Sequence, residues 1–395
     1  MKQEFLNLGK QPIANAFLNA TDNKEEYFYD LKVGFDEETK LVSLMEFVDP
    51  PLMFNEGYVY HSSMSNTMRQ HFLEASKTLK KQFKPEKVLE IGSNDGVFIK
   101  HFSKETTYAV EPCDNFATAT NKMGYFTYSD FWTTPLAEKI VKEKGKMDLI
   151  FSANCICHIQ NLKDTFDAIE VLLDDDGVFV FEDPSLVSVI TKNSYDQFYD
   201  EHAHIFSVMA LKNLLGNSGL ELFKVEKVSV HGASNRIYAK KTGNKKIKIH
   251  ESVGNNLKVE KELGLDKLET YLKFAKRVYR SKEDLVNLLK SYKKEGKKII
   301  SYGATCKSVT VFNFCEIDTS LIDYITDTTP SRQNKLLPGV HIPVVSPEEG
   351  FDNSVDVAFL GAWNFSSEIM EKEHKFLEKG GEFITHVPAV RTMGG

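Results

Sequence analysis

The 395-residue sequence predicts an α/β protein made of two doubly wound nucleotide-binding folds with a small irregular segment in front. Two observations carry this. Residues 85 to about 240 alternate short apolar runs with helix-compatible stretches, the pattern of a mostly parallel sheet covered on both faces. The same alternation begins again at residue 298, after a Lys-, Glu- and Leu-rich stretch of helical spacing over 250–297. The expected organisation is a small N-terminal domain over 1–75, a first fold over 76–245, a helical connector over 246–297 and a second fold over 298–395.

Bulk properties narrow the function. Hydrophobic residues make up 42% and charged residues 27%, ordinary for a globular protein. A formal net charge of -7 argues against a nucleic-acid partner, because phosphate binding needs a basic patch. The five cysteines, Cys113, Cys155, Cys157, Cys306 and Cys315, are odd in number and scattered, so they make no disulfide framework. Cys155 and Cys157 are spaced poorly for a zinc pair. The first residues lack an apolar signal core, and no run of eighteen apolar residues occurs. A cytoplasmic protein with reduced thiols and no membrane partner is expected, as a monomer or small homo-oligomer.

Along the N-terminal segment, Leu8 to Phe17 reads as a turn and a short segment, and Asp30 to Phe47 as a hairpin around Asp36-Glu37-Glu38-Thr39. Gly57 to Met68 is dense in hydroxyls and aromatics, either a turn capping a helix over about Met68–Phe83 or a lip over a polar ligand. The first fold opens at Lys87 to Ile99. The apolar run Val88, Leu89 and Ile91 ends in Gly92-Ser93-Asn94-Asp95-Gly96, followed by an apolar, helix-compatible stretch. The glycines permit a sharp turn and a close ligand approach. The third glycine of a dinucleotide fingerprint is missing. Thr107 to Val110 then ends in Glu111, where a carboxylate can accept hydrogen bonds from both hydroxyls of a ribose. Further strands are expected at Tyr125–Thr127, Met147–Ser152, Gly177–Phe181 and Ile237–Lys240. Ligands bind outside the carboxyl ends of such strands. Asp130 and Phe131 follow the third, with a carboxylate for an adenine amino group and a ring for stacking. Ala153 and Asn154 follow the fourth, and Glu182-Asp183-Pro184 the fifth.

In the second fold, strands are expected at Lys298–Tyr302, Leu321–Thr326, Val355–Leu360 and Glu382–His386. Gly303 to Ser308 offers backbone N–H groups to phosphate but lacks the spacing of an ATP-hydrolysing loop.

The chemistry is expected at Tyr195 to Ser207, where Tyr199, Asp200, Glu201, His202 and His204 fall at the carboxyl end of the first sheet. Histidine exchanges a proton near neutral pH, and a neighbouring carboxylate fixes its tautomer. His158, after the fourth strand, is placed to reach the same crevice. A metal set of Asp200, Glu201, His202 and His204 is the weaker alternative, since nothing fixes its geometry.

The strand ending Glu90-Ile-Gly92, the acid in the loop and Glu111 on strand two resemble class I S-adenosylmethionine (SAM) methyltransferases. Glu90 to Gly96, Tyr199 to Ser207, His231-Gly-Ala-Ser-Asn-Arg236 and Tyr302 to Lys307 together resemble the C-methyltransferases that act on nucleotide-linked 4-keto-deoxysugars. Tyr58 to Ser63, Pro338 to Pro343 and Ala362-Trp363-Asn364 fit as well, so the resemblance covers nearly the whole chain. It implies a class I methyltransferase Rossmann-like domain followed by a second Rossmann-like domain. It implies SAM held by Glu90, Gly92, Asn94, Asp95, Gly96 and Glu111, with Asp130, Phe131, Ala153 and Asn154 beside it. His202 would be the base that removes the proton next to the ketone, and Glu201, Tyr199 and His158 would orient it or stabilise the enolate oxygen. Tyr58 and Tyr60 would line the sugar pocket, Gly303, Ala304, Lys307, Asp327 and Trp363 the nucleotide diphosphate site, and Ser63, His231, Arg236 and Asn364 would also bind the substrate. The implied role is synthesis of a branched-chain sugar. O- or N-methylation of a nucleotide sugar, or binding without turnover, are the alternatives. The family usually opens with a zinc-binding module bearing two cysteine pairs. Here Val33 to Leu41 has no cysteine, so no zinc is expected.

Overall fold

A computed structural model describes residues 1–21 and 25–394, the side chain of His231 apart. Its first Rossmann-like sheet has Val88–Ile91 at the centre, with Thr107–Val110 and Phe126–Tyr128 on one side and Met147–Ala153 and Leu173–Pro184 on the other, all parallel. Ser234–Lys241 pairs antiparallel with Leu173–Pro184, and Leu220–Val228 closes that edge, again antiparallel to its neighbour. The chain changes its direction of travel across the sheet after Phe126–Tyr128. A crevice therefore opens at the carboxyl ends of Val88–Ile91 and Met147–Ala153, where ligands bind in such folds. The central strands are buried on both faces, which is why they read as apolar runs without alternation. Helices cover them with ordinary caps: Thr133 Oγ1 accepts from Leu136 N at 3.4 Å, and Asn161 Oδ1 from Asp164 N at 3.2 Å.

The second sheet repeats the plan. Ile299–Tyr302 is central, flanked in parallel by Ile325–Thr326 and Pro343–Val345 on one side and by Val357–Leu360 and Glu382–Thr385 on the other. Arg391–Met393 adds antiparallel at one edge; Lys335–Leu336, then Leu18–Asn19 from the N-terminal segment, add at the other. Helix Cys306–Cys315 springs directly from the loop at Gly303, closed by a capping box between Thr305 and Ser308.

The N-terminal stretch is more regular than its sequence. Lys2–Pro12 is an 11-residue strand paired with Phe28–Asp36, and bulges at Glu4/Leu6 and Asn7/Lys10 break the two-residue period that would have revealed it. The expected turn at Asp36 to Thr39 joins Phe28–Asp36 to Val42–Leu44. His204–Ile205 joins this same sheet, so the N-terminal strands rest on the segment carrying His202. Helix Leu268–Lys294 buries Tyr271, Phe274, Val278, Leu285 and Leu289 at helical spacing. Tyr271 packs between Phe5 and Phe35, with centroids at 5.0 and 4.5 Å. One apolar core thereby runs from the N-terminal sheet through residues 186–205 into the second fold.

Two local expectations fail. After Gly96 only the short 3-10 turn Ile99–His101 forms, because Val97, Phe98 and Ile99 are all buried in succession rather than along one helical stripe. Leu220–Val228, alternating and half charged, is a strand that the apolar-run criterion passes over.

Candidate active site

A cavity of about 920 Å³ joins the carboxyl ends of both Rossmann-like sheets beneath the lip at Tyr58 to Asn66. Its first end is built by the loop after Val88–Ile91. Gly92 has φ 72°, and a Cβ there would lie 2.7 Å from Cys155 Sγ, so no other residue fits. Glu111 lines the cavity with both carboxylate oxygens oriented: Oε2 accepts from Asn94 N at 2.7 Å and Oε1 from Cys113 N at 2.9 Å. Burial raises its pKa, opposed by those two N–H groups. Asn154, at φ 49°, lines the cavity, and its buried Oδ1 has no hydrogen-bond partner among the described residues. Ala153 and Phe131 line it too. This donor and acceptor set fits SAM: a carboxylate for the ribose, a glycine for close approach, an aromatic ring and a free amide oxygen.

Several expected cofactor residues have other duties. Asn94 lines the cavity, but its side chain accepts from Ser62 N at 2.9 Å and donates to Tyr60 O at 3.0 Å. Asp95 accepts from Ser63 N at 3.1 Å, so both residues fasten the lip, and Asp95 lies off the cavity. Glu90 is buried beneath the loop, where burial raises its pKa well above the usual range. Gly96 packs toward Thr120, and Asp130 faces solvent and accepts from its neighbour Phe131 N at 2.8 Å. None of these three lines the cavity.

At the middle of the cavity the turn Tyr195–Gln197 delivers Tyr199, Glu201 and His202. His202 Nδ1 lies 2.6 Å from the Gln197 carbonyl, which only accepts, so this nitrogen carries the proton. Nε2 then presents its lone pair, and the Tyr199 hydroxyl donates to it at 2.7 Å. His158 stacks on His202 with centroids 5.4 Å apart, and burial pushes its pKa down to about 3, so it stays neutral. Glu201 Oε2 accepts from the Tyr58 hydroxyl at 2.9 Å, and Oε1 accepts from Asn15 Nδ2. Burial raises the pKa of Glu201, while Tyr58, Asn15, Arg332 and Lys307 oppose the rise. Asp200 turns away to Ala14 N at 3.2 Å; burial and Glu201 push its pKa well above the carboxylate range.

The metal set weighed from sequence does not assemble. His204 faces Gln160 O at 3.3 Å, outside the cavity lining. Among the described residues, the metal-ligating atoms that converge within 4.8 Å are those of Cys157, His158 and His202. Burial keeps the Cys157 thiol protonated, and both ring nitrogens of His202 are already hydrogen-bonded.

The far end belongs to the second fold. Gly303, Lys307, Asp327 and Asn364 line it. Asp327 braces the loop by accepting from Ala304 N at 2.7 Å and Thr329 N at 2.8 Å; Ala304 itself is buried. Arg332 and Lys372, which the sequence reading passed over, add two cations there. Arg332 is foreshadowed by its place just after Asp327 at a strand's carboxyl end; Lys372, on helix Ser366–Lys372, has no such signal. Trp363 lies off the cavity: its Nε1 donates to Asp196 Oδ2 at 2.5 Å, and its ring covers Gly232. Arg236 is likewise held elsewhere, 2.6 Å from Glu182, whose other oxygen meets His71. Ser63 also lies off the lining, its N–H on Asp95, while Tyr58 and Tyr60 line the cavity. The side chain of His231 lies outside the described residues.

Residues 60–225 match a methyltransferase domain family, and residues 229–388 match the C-methyltransferase C-terminal domain. Over 99% of its length the chain is 28% identical to the C-methyltransferase NovU of Streptomyces niveus, covering 94% of that protein. Among solved structures, a SAM-dependent methyltransferase of Thermotoga maritima is 18% identical with a TM-score of 0.35, over 44% of this chain and 90% of that one. One from Anabaena variabilis is 15% identical with a TM-score of 0.36, over 45% and 86%. Residues 1–54 match a zinc binding domain family, yet this stretch contains neither Cys nor His, the first of each being Cys113 and His61. The donors of a structural zinc site are therefore missing from it. Two consecutive methyltransferase modules and a relative matched over 99% of the chain support a SAM-dependent C-methyltransferase.

Proposed function

We propose that the protein methylates the carbon next to the ketone of a nucleotide-linked 4-keto-deoxysugar, in the synthesis of a branched-chain sugar. The observation that carries this is the continuity of one cavity from Glu111, past His202, to the cations Lys307, Arg332 and Lys372. A methyl donor, an acidic C–H and a diphosphate each find a matching end.

SAM, held by Glu111, Gly92, Asn154 and Phe131, supplies an electrophilic methyl group. His202 acts as the base: its Nε2 lone pair takes the proton from the carbon beside the ketone, and the C–H electron pair moves toward the carbonyl oxygen as an enolate. The ketone makes that C–H acidic enough for an imidazole, provided donors stabilise the oxyanion. The Tyr199 hydroxyl, which donates to Nε2 at 2.7 Å, turns from it to that oxygen and so frees the Nε2 lone pair for the proton. Nδ1 keeps its proton on the Gln197 carbonyl, and Glu201 supplies negative charge beside the imidazolium that forms. Lys307 and Arg332 clamp the diphosphate, which fixes the ring against the base.

Incubation with a nucleotide-linked 4-keto-6-deoxysugar in heavy water, followed by NMR, tests this. Deuterium entering beside the ketone, and a methyl group at that carbon once SAM is added, are expected. Methyl transfer to oxygen or nitrogen without exchange refutes it.

A further inference from the structure

The N-terminal segment keeps a place in the catalytic centre although it lacks zinc donors. Strand Lys2–Pro12 leads into the turn at Ile13-Ala14-Asn15, which reaches across to the segment bearing His202. Ala14 N donates to Asp200 Oδ1 at 3.2 Å, and Asn15 Nδ2 donates to Glu201 Oε1. Asn15 is 9% exposed and lines the cavity, and its buried Oδ1 has no hydrogen-bond partner among the described residues. Tyr58 holds the other oxygen of Glu201, so the carboxylate is gripped from two separate parts of the chain.

We propose that Asn15 is a positioning residue for the methylation reaction, fixing Glu201 as an ionised carboxylate beside His202. The inference rests on the reading of His202 as the base. An ionised carboxylate receives N–H from an amide, so the contact fixes the orientation of the Asn15 side chain. The groups around Glu201 explain why a donor matters. Asp200 and Tyr199 adjoin it on its own segment, Tyr29 and Asn15 face it from the N-terminal sheet, and Tyr58 from the lip. Cys157 approaches from the first fold, and Cys306, Lys307 and Arg332 from the second. Lys307 and Arg332 are the cations of this set, and both serve the opposite end of the cavity. Loss of the Asn15 amide therefore raises the proton affinity of Glu201.

The test compares wild type with Asn15→Leu and Asn15→Gln in SAM-dependent methylation of the keto-sugar across pH. Asn15→Leu should lower kcat by roughly tenfold or more and move the acid limb of its pH profile upward, and Asn15→Gln should recover part of both. In a Glu201→Ala background Asn15→Leu should change neither. Calorimetric SAM binding and thermal melting verify folding; should Asn15→Leu not fold, Asn15→Ser replaces it. An active wild type with an unchanged pH profile in the variant overturns the positioning role alone. A wild type inactive on every keto-sugar overturns the underlying reading.

Discussion

Trp363 Nε1 donates to Asp196 Oδ2 at 2.5 Å, joining the second Rossmann-like fold to the turn that leads into Tyr199, Glu201 and His202. His386, also from the second fold, lies 3.3 Å from the same oxygen. Burial works against the Asp196 carboxylate, but His386, Lys307 and Trp363 outweigh it and hold its pKa below the usual range. Trp363→Phe keeps the ring and removes the N–H, leaving a fully buried charge one donor short. It should destabilise the protein by roughly 1.5–3 kcal/mol in urea denaturation. Affinity for a nucleoside diphosphate, measured at a temperature where the variant is folded, should stay within about threefold.

Glu111→Ala should weaken SAM binding by roughly 10- to 100-fold in calorimetry, because two backbone N–H groups lose their acceptor along with any ribose contact. Asp130→Ala, at a solvent-facing carboxylate, should leave SAM affinity unchanged. Equal effects of the two would contradict the placement of the cofactor end.

Stability should carry a pH signature from Glu260. Its oxygens accept from Val208 N at 2.6 Å and Met209 N at 2.8 Å, at the start of helix Val208–Gly216. Burial raises its pKa from 4.5 to about 7 against those bonds. A carboxyl whose folded pKa is raised contributes stability that is full below the unfolded pKa and is lost as pH rises through the folded one. Relative to Glu260→Gln, the wild type should lose up to about 3 kcal/mol between pH 4.5 and 7 and stay level above, read from urea midpoints.

The N-terminal segment should hold no structural zinc. Elemental analysis should find well under one zinc per chain, and a chelator should leave the melting temperature unchanged. Stoichiometric zinc, or melting that collapses on chelation, would contradict this.

The parts of the site legible in the sequence are those where chemistry and local backbone coincide. Gly92 and Glu111 were readable because a glycine turn and a strand-ending carboxylate are set by neighbours in sequence. His202, Glu201 and Tyr199 were readable as a cluster, though not their partners. Asn15 and Arg332 are not legible in that way, because contacts between distant segments bring them to the cavity: Asn15 meets Glu201 across 186 residues. Asp95 and Trp363 lie off the cavity for the converse reason. A polar or aromatic side chain beside a ligand loop serves equally well to fasten a lip or to bridge two folds, and spacing alone does not separate these.

The central claim is that His202 removes a proton from carbon. The most direct measurement is deuterium incorporation beside the ketone of a nucleotide-linked 4-keto-6-deoxysugar in heavy water, followed by NMR without SAM, for wild type and His202→Ala. The wild type should exchange that position, and the variant should lose roughly 10²- to 10⁴-fold in rate while still binding SAM. Exchange that persists undiminished in His202→Ala would contradict the account.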